Sequence, residues 1–91
     1  MYEWYEEKQL QNIKNHGMDF IDAVQIFDGR PAFTYISERN NEERFVTVGK
    51  IDGKLWKVVW QKRNKKKRII SAHRGSDGTE RKYNELFGKG N

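Results

Sequence analysis

The sequence predicts an α+β fold in which two N-terminal helices precede a four-stranded antiparallel meander sheet and a short C-terminal helix. Three observations indicate this class: apolar residues at helical spacing near the start, alternating apolar and charged residues in the second half, and the hairpin signal Asp52-Gly53. A chain of 91 residues can bury only a modest core. We therefore expect one domain over residues 1–91.

The first two helices are predicted from apolar spacing and from the residues that flank them. Residues 5–16 form the first helix, with Leu10 and Ile13 on one face and Gly17 just past its end as a stop signal. Asp19 can cap a second helix, in which apolar residues recur at i, i+3, i+4 and i+7. These apolar residues are Phe20, Ala23, Val24 and Phe27.

Four strands are predicted from short runs of residues that end at turn signals. They cover residues 32–37, 44–51, 54–62 and 67–74. Asp52-Gly53 forms a two-residue hairpin turn, because both residues tolerate positive φ angles. Polar residues 38–43 and 63–66 make the other two connections. Residues 79–87 form the closing helix, with Thr79 near its cap.

Alternation along the strands separates the side chains onto two faces of the sheet. In the third strand Trp56, Val58 and Trp60 share one face, and Lys57 and Val59 lie on the other. Two tryptophans in such a pattern are more typical of a core than of a base-stacking platform. One face packs on the helices, and the other, partly apolar and partly basic, suits a ligand or a partner protein. The pattern leaves open which face is which.

Charge divides the chain into two unequal halves. Residues 1–45 have a net charge of −4 and residues 46–91 a net charge of +9, within a total of +5. Lys62–Arg68 contains six basic residues in seven. This asymmetry favours a polyanionic partner for the C-terminal half, because cations that neutralise phosphates release counterions. A solvated, lysine-rich edge that prevents aggregation would give the same pattern.

Several classes of site have no support in the sequence. There are no cysteines, so disulfides and thiolate metal sites are excluded, and a reducing, cytoplasmic location fits. The acidic start lacks the order of a signal peptide, and no apolar stretch could span a bilayer, so we expect no membrane contact. The two histidines are 57 positions apart, and neither a glycine-rich phosphate loop nor a nucleophile motif is present. We expect neither a metal ion nor a cofactor.

Short segments along almost the whole chain occur in a specific order. Lys14–Phe20 is similar to a Lys-His-Gly-Val-x-Phe segment with one inserted residue, and Arg68–Ala72 matches an Arg-Ile-Ile-Ser-Ala strand. Further matching elements are Glu3-Trp4, Ala23, Phe27-Asp28, Glu42-Glu43-Arg44, Val48-Gly49, Val58-Val59-Trp60, Arg63, Glu80 and Tyr83. Together they resemble the BrnT ribonuclease toxins, which have a RelE-like fold and pair with BrnA antitoxins. The chain departs from this family at His73, where arginine is usual, and at residues 75–78, where a helix-forming run is usual.

The resemblance implies a metal-independent endoribonuclease toxin of a type II toxin–antitoxin pair, which cleaves RNA and inhibits translation and growth. It also implies a cognate BrnA-like antitoxin that covers the basic surface, so that DNA is contacted only indirectly, through the antitoxin complex. The residues alone leave two other functions open. One is a non-catalytic nucleic-acid-binding module that uses the basic C-terminal half, and the other is a protein-interaction domain with an acidic partner.

Candidate catalytic residues follow from the chemistry of RNA cleavage. RNA carries its own nucleophile, the 2′-hydroxyl, so the protein must position it, remove its proton and stabilise the phosphorane. Arginine side chains donate planar, charged hydrogen bonds to phosphate oxygens, so we expect Arg44, Arg63 and Arg74 to converge on one phosphodiester. His73 and Glu80 are the candidate proton-transfer pair, because histidine titrates near neutral pH and a carboxylate can act as base or orient it.

Further residues are candidates for RNA binding outside the reacting phosphate. They are Lys50, Lys62, Lys65, Lys66, Lys67, Arg68 and Tyr83. Several candidates have a structural alternative: Arg44 and Arg68 could form ion pairs with Glu38, Glu42 or Glu43. Glu80 could stabilise the first turn of a helix. His16 precedes a helix-ending glycine, where bonding to terminal carbonyls explains it better than catalysis does.

Overall fold

In the computed structural model, which describes residues 1–88, the chain forms a five-stranded mixed sheet and three α-helices. The strands are β1 (Tyr2–Glu3), β2 (Ala32–Arg39), β3 (Glu42–Ile51), β4 (Lys54–Arg63) and β5 (Lys66–Arg74). The helices are α1 (Glu6–His16), α2 (Phe20–Ala23), which continues as a 3₁₀ helix (Val24–Phe27), and α3 (Asp77–Phe87). No helix within residues 1–88 is both long enough and apolar enough to cross a bilayer.

The strand order in the sheet is β1-β5-β4-β3-β2. Strands β2 to β5 form the predicted antiparallel meander, whereas β1 pairs in parallel with β5, opposite Lys67 and Arg68. The prediction of four antiparallel strands is therefore incomplete. The missed strand has only two residues, and the long-range pairing with β5 that defines it leaves no local pattern in the sequence.

All three hairpins of the meander turn through two residues with positive φ angles. Asp52-Gly53 has φ angles of 51° and 77°, as its sequence predicts. Asn40-Asn41 (54° and 61°) and Asn64-Lys65 (53° and 65°) adopt the same conformation. Because these turns are tighter than the predicted loops, the strands extend to Arg39, start at Glu42, and continue to Arg63.

Helix α1 ends as the sequence predicts but buries a different residue. Gly17 has a φ of 70°, and its N–H donates to the Ile13 carbonyl over 2.9 Å. Leu10 and Ile13, predicted to form an apolar face, are 60% and 40% exposed, and the buried residue of α1 is Asn12. That interpretation of the apolar spacing is wrong, because α1 lies along the edge of β5 and contacts it through polar groups.

Asn12 takes the place of a neighbouring strand at the edge of β5. Its Oδ1 accepts from the Ala72 N–H at 3.0 Å, and its Nδ2 donates to the Ala72 carbonyl at 2.8 Å and to the Met18 carbonyl at 2.9 Å. Both backbone groups of Ala72 on the outer edge of the strand are thus satisfied by one side chain. The contact fixes α1 beside the C-terminal half of β5.

The main core lies between one face of the sheet and the segment from α2 to the end of the 3₁₀ helix. Trp56, Val58 and Trp60 of β4 pack there against Phe20 and Ile26, which confirms that the two tryptophans are core residues. Asp19 accepts the Ile21 N–H at 3.0 Å and caps α2, as predicted. We call this side of the sheet the helix-packed face.

Helix α3 packs on one end of the opposite side of the sheet. Its Tyr83 is buried with Val46, Val48 and Leu55 in a second, smaller core. Ser76 caps the helix by accepting the Thr79 N–H at 3.3 Å, so α3 starts at Asp77, two residues before the predicted start.

Candidate nucleic-acid interface

The part of the second sheet surface that α3 leaves uncovered is lined mainly by cations, and we call it the open face. Directly paired residues in neighbouring strands share a face, so the register assigns each side chain. The polar side chains assigned to the open face include Tyr35, Ser37, Arg39, Glu42, Arg44, Lys57, Gln61, Arg63, Lys66, Arg68, Ser71 and His73. The register therefore answers the question that alternation left open.

A β-bulge in β5 determines which residues reach the open face. Val59 pairs with Ser71 and Trp60 with Ile69, so Ile70 is an extra residue in β5. Simple alternation places Arg68 and His73 on opposite faces, whereas the bulge brings both to the open face. It also places Ile69 and Ala72 together in the main core.

Two adjoining depressions, each with a volume of about 280 Å³, lie in the open face. The first, which we call the Arg63 depression, has Arg44, Arg63 and Arg68 in its walls. The second, which we call the His73 depression, is lined by Arg39, Arg44, Lys57, Ser71 and His73, among others. Arg44 belongs to both and separates them. The two depressions together offer several cations to one extended anionic chain.

Arg44 has unused hydrogen-bonding capacity. Its side chain is 28% exposed, yet its Nε is buried and has no hydrogen-bond partner within residues 1–88. The nearest carboxylate oxygen, Oε2 of Glu42, is 3.9 Å from one terminal nitrogen, too far for a hydrogen bond. A buried donor left unpaired costs about 1–3 kcal/mol. Because this Nε has no access to solvent, an anion bound at the junction of the two depressions would contact the exposed part of the side chain instead.

Arg68, in contrast, is already paired within the protein. Its Nε donates to Glu3 Oε2 at 2.7 Å, and a terminal nitrogen donates to the Tyr5 hydroxyl at 3.1 Å. The hydrogen bond that Arg68 donates to Glu3 is the main reason that the pKa of Arg68 is raised above its ordinary value. Arg68 therefore forms an ion pair, but with Glu3 of β1 rather than with any of the three predicted glutamates, and this pair connects β1 to β5.

His73 lies between charged neighbours from two other elements. Lys57 is its direct partner across β4 and β5, and the His16 ring, at the end of α1, has its centroid 5.7 Å from the His73 ring centroid. Burial lowers the pKa of His73 below 6.5, and the charges of His16 and Lys57 lower it further. The neutral imidazole, which can accept a proton, is therefore favoured near pH 7.

Two of the predicted catalytic residues lie away from this site. Arg74 pairs with Trp56 and so belongs to the helix-packed face; its Nε donates to the Leu55 carbonyl at 3.3 Å. Glu80, on α3, lines a separate shallow depression whose lining does not include His73. The expected convergence is therefore limited to Arg44 and Arg63, and His73 has His16 rather than Glu80 beside it.

The predicted RNA-binding residues are spread over several surfaces. Tyr83 is 6% exposed and packs in the second core, with Lys50 Nζ 5.5 Å from its ring centroid, so the structure gives Tyr83 a packing role. Lys62 and Lys67 lie over aromatic rings at the edge of the helix-packed face. Lys65 is in the last hairpin turn, and Lys66 pairs with Arg63.

Sequence reasoning missed a role for Lys57 and gave His16 only a structural one. The alternation had placed Lys57 beside Val59, but a single lysine in a strand carries no functional signal. His16 approaches His73 only because α1 packs along β5, which the sequence does not reveal. Within residues 1–88, no three His, Cys, Asp or Glu side chains form a group that could hold a metal ion.

A third depression, of about 660 Å³, lies between β2 and α3. Its lining includes Phe33, Tyr35 and Leu86, and its one basic residue is Lys82. This lining suits apolar groups better than phosphates.

The chain is thus a small α+β domain whose open sheet face is suited to an anionic ligand. A family model described as "Ribonuclease toxin, BrnT, of type II toxin-antitoxin system" matches residues 4–78. Since this range covers most of the 91 residues, the chain belongs to the BrnT family of ribonuclease toxins. The matched range includes the open face and ends in the first turn of α3. Comparison with curated proteins gives no significant match.

Proposed function

We propose that this chain is an endoribonuclease toxin that cleaves RNA through attack of a 2′-hydroxyl on the adjacent phosphorus. Membership of a ribonuclease-toxin family supports the reaction class. The observation that supports the site is the partly exposed side chain of Arg44 at the junction of two depressions that are rich in cations. A phosphate bound at this junction would accept hydrogen bonds from the exposed part of that side chain.

In this proposal the scissile phosphate binds between Arg44 and Arg63. Two guanidinium groups on one phosphate stabilise the charge that increases as the phosphorane forms, which is commonly a large catalytic contribution. Because Arg44 also borders the His73 depression, a nucleotide bound to it can extend its ribose toward His73. The neutral imidazole then removes the proton of the 2′-hydroxyl.

The reaction as proposed requires no metal ion. RNA supplies the nucleophile, His73 removes its proton and the arginines stabilise the phosphorane, so each task has a side chain on the open face. Lys57 adds a further positive charge beside His73 for a neighbouring phosphate.

Membership of a type II toxin–antitoxin family implies a cognate antitoxin protein. We place that antitoxin, expected to be BrnA-like, over the open face, where it would block RNA and supply the acceptor for Arg44. Contact with DNA would then occur only through the antitoxin complex.

The test compares two arginines on opposite faces of one sheet. Arg44→Ala should reduce the rate of RNA cleavage in EDTA by about 100-fold or more, because it removes a donor aimed at the phosphorane. Arg74→Ala is the matched control: it removes the same group from the helix-packed face and should leave the rate nearly unchanged. Cleavage is followed on labelled RNA, and thermal unfolding verifies that both variants fold.

Three outcomes would contradict the proposal. Equal loss of activity in both variants would mean that the open face is not the site. Full activity of Arg44→Ala would show that cleavage does not need the residue on which the proposal rests. Salt-sensitive RNA binding by the wild type without cleavage would instead indicate a non-catalytic nucleic-acid-binding module.

A further inference from the structure

The two histidines of this chain, 57 positions apart in sequence, lie side by side in the structure. His16 ends α1 and His73 lies near the end of β5, with ring centroids 5.7 Å apart and ring planes inclined at 45°. His73 lines the depression that adjoins Arg44, and His16 is exposed to solvent beside it. The packing of the helix on the sheet edge therefore creates a pair that the sequence alone does not indicate.

We propose that His16 is the second proton-transfer group of the nuclease reaction, donating a proton to the leaving 5′-oxygen while His73 accepts the proton of the 2′-hydroxyl. This inference rests on the proposed ribonuclease function and adds to it the identity of the general acid.

The position of His16 is fixed by the contact one helical turn before it. Asn12 and His16 are four residues apart and therefore project from the same side of α1. Asn12 is bonded to both backbone groups of Ala72, and His16 faces the next residue of β5, His73. The three hydrogen bonds of Asn12 thus hold the two imidazoles in register.

The surroundings of the two rings differ in the way that acid and base require. His73 is partly buried, and the ionisable groups that line its depression are all phenolic or cationic: Tyr35 and Arg39 from β2, Arg44 from β3 and Lys57 from β4. Burial, followed by the charges of His16 and Lys57, lowers the pKa of His73, which favours its neutral form. His16, in contrast, is exposed to solvent in the last turn of α1.

The step balances as follows. The 2′-oxygen forms a bond to phosphorus as its proton passes to His73, and the bond from phosphorus to the 5′-oxygen breaks as that oxygen takes a proton from His16. The products are a 2′,3′-cyclic phosphate and a 5′-hydroxyl, with His73 now protonated and His16 neutral. Because both oxygens are bonded to one phosphorus, the base and the acid must reach the same phosphodiester, and two imidazoles with ring centroids 5.7 Å apart can approach it from two sides.

A substrate with sulfur in place of the bridging 5′-oxygen separates the two roles. Sulfur leaves without a proton, so such an RNA no longer needs a general acid. His16→Gln should cleave ordinary RNA about 100-fold more slowly than the wild type and should regain nearly wild-type rates on the sulfur-substituted RNA. His73→Gln should be slow on both substrates. Lys14→Gln, in the same turn of α1, is the control for charge and helix stability and should resemble the wild type.

The outcomes distinguish this inference from the proposed function. Full activity of His16→Gln on ordinary RNA would overturn the assignment of His16 while leaving the nuclease function intact, provided that Arg44→Ala is inactive. A slow His16→Gln that sulfur does not rescue would also overturn it and would leave His16 a positioning role. Failure of the wild type to cleave any RNA would overturn both proposals.

Discussion

At the scale of single residues, the cations of the open face differ in whether the protein already uses them. Arg68 is occupied by Glu3 and the Tyr5 hydroxyl, whereas the Nε of Arg44 is without a partner within residues 1–88. Sequence position favours the opposite assignment, because Arg44 directly follows Glu42 and Glu43 whereas no glutamate lies within nine positions of Arg68. The difference arises from the parallel pairing of β1 with β5, which brings Glu3 to Arg68.

The buried position of His73 predicts a pH dependence of stability. Its pKa is lowered from 6.5 in the folded protein, mainly by burial. The unfolded chain therefore binds more protons than the folded one just below pH 6.5, so the free energy of unfolding should fall as the pH decreases through that range. His73→Gln should reduce this fall, as measured by urea unfolding at several pH values. An unchanged pH dependence in His73→Gln would show that other groups cause it.

The candidate site was only partly predictable at this scale. Arg44, Arg63 and His73 were predicted from the chemistry of RNA cleavage, and the structure places all three on the open face. Arg74 and Glu80 were chosen by the same chemistry, but the sheet register and the direction of α3 place them elsewhere. Proton-transfer partners are determined by tertiary contacts, which local sequence does not encode.

At the scale of elements, two kinds of contact pair the backbone groups on the outer edge of β5. Strand β1 pairs with Lys67 and Arg68, and farther along, the side chain of Asn12 bonds to Ala72. Unpaired edges of sheets invite association with other chains, so these contacts protect the strand that carries His73. They also make the position of α1 depend on one polar residue.

Asn12→Ala should therefore strongly destabilise the protein, although the helix that carries it is largely exposed to solvent. It leaves the Ala72 N–H and carbonyl and the Met18 carbonyl without their partner, and we expect a loss of about 3 kcal/mol in the free energy of unfolding. Gln11→Ala, at the neighbouring exposed position, should change it by less than about 0.5 kcal/mol. Urea unfolding of both variants measures the difference, and similar values for the two would contradict the role assigned to Asn12.

Most elements were predictable because their signals are local. Asp52-Gly53 and the alternation of β4 depend on neighbouring residues alone, and so do the stop at Gly17 and the cap at Asp19. Strand β1 and the burial of Asn12 in α1 depend on residues more than 50 positions away, which explains why no window of the sequence indicates them.

At the scale of the whole molecule, the uneven charge of the sequence becomes a difference between surfaces. The basic C-terminal half contributes cations to both faces of the sheet. The cations of the open face come from four strands, β2 to β5. The densest basic run, Lys62–Arg68, contributes to both sides, because the last hairpin lies within it. Charge in the sequence therefore predicted a basic half of the chain but not how its cations divide between the two faces.

Lys57 and Lys54 provide a test of which surface binds RNA. Lys57 lies in the His73 depression, whereas Lys54 is exposed at the start of β4 and lines neither depression. For single-stranded RNA made uncleavable by 2′-O-methylation, Lys57→Gln should reduce the slope of log binding constant against log salt concentration by about 0.7. Lys54→Gln should leave the slope unchanged. Equal slopes for the two variants would mean that the open face is not the RNA-binding surface.

The bulge at Ile70 has a consequence for how this sequence can vary. With one residue fewer between Arg68 and His73, the strand beyond the deletion would rotate by half a turn, and either a guanidinium or an imidazole would enter the hydrocarbon interior. The stretch can therefore accept changes of residue type far more easily than a change of length. The number of residues between Arg68 and His73, more than the identity of any one of them, keeps the apolar residues of this strand in the core and its charged residues at the surface.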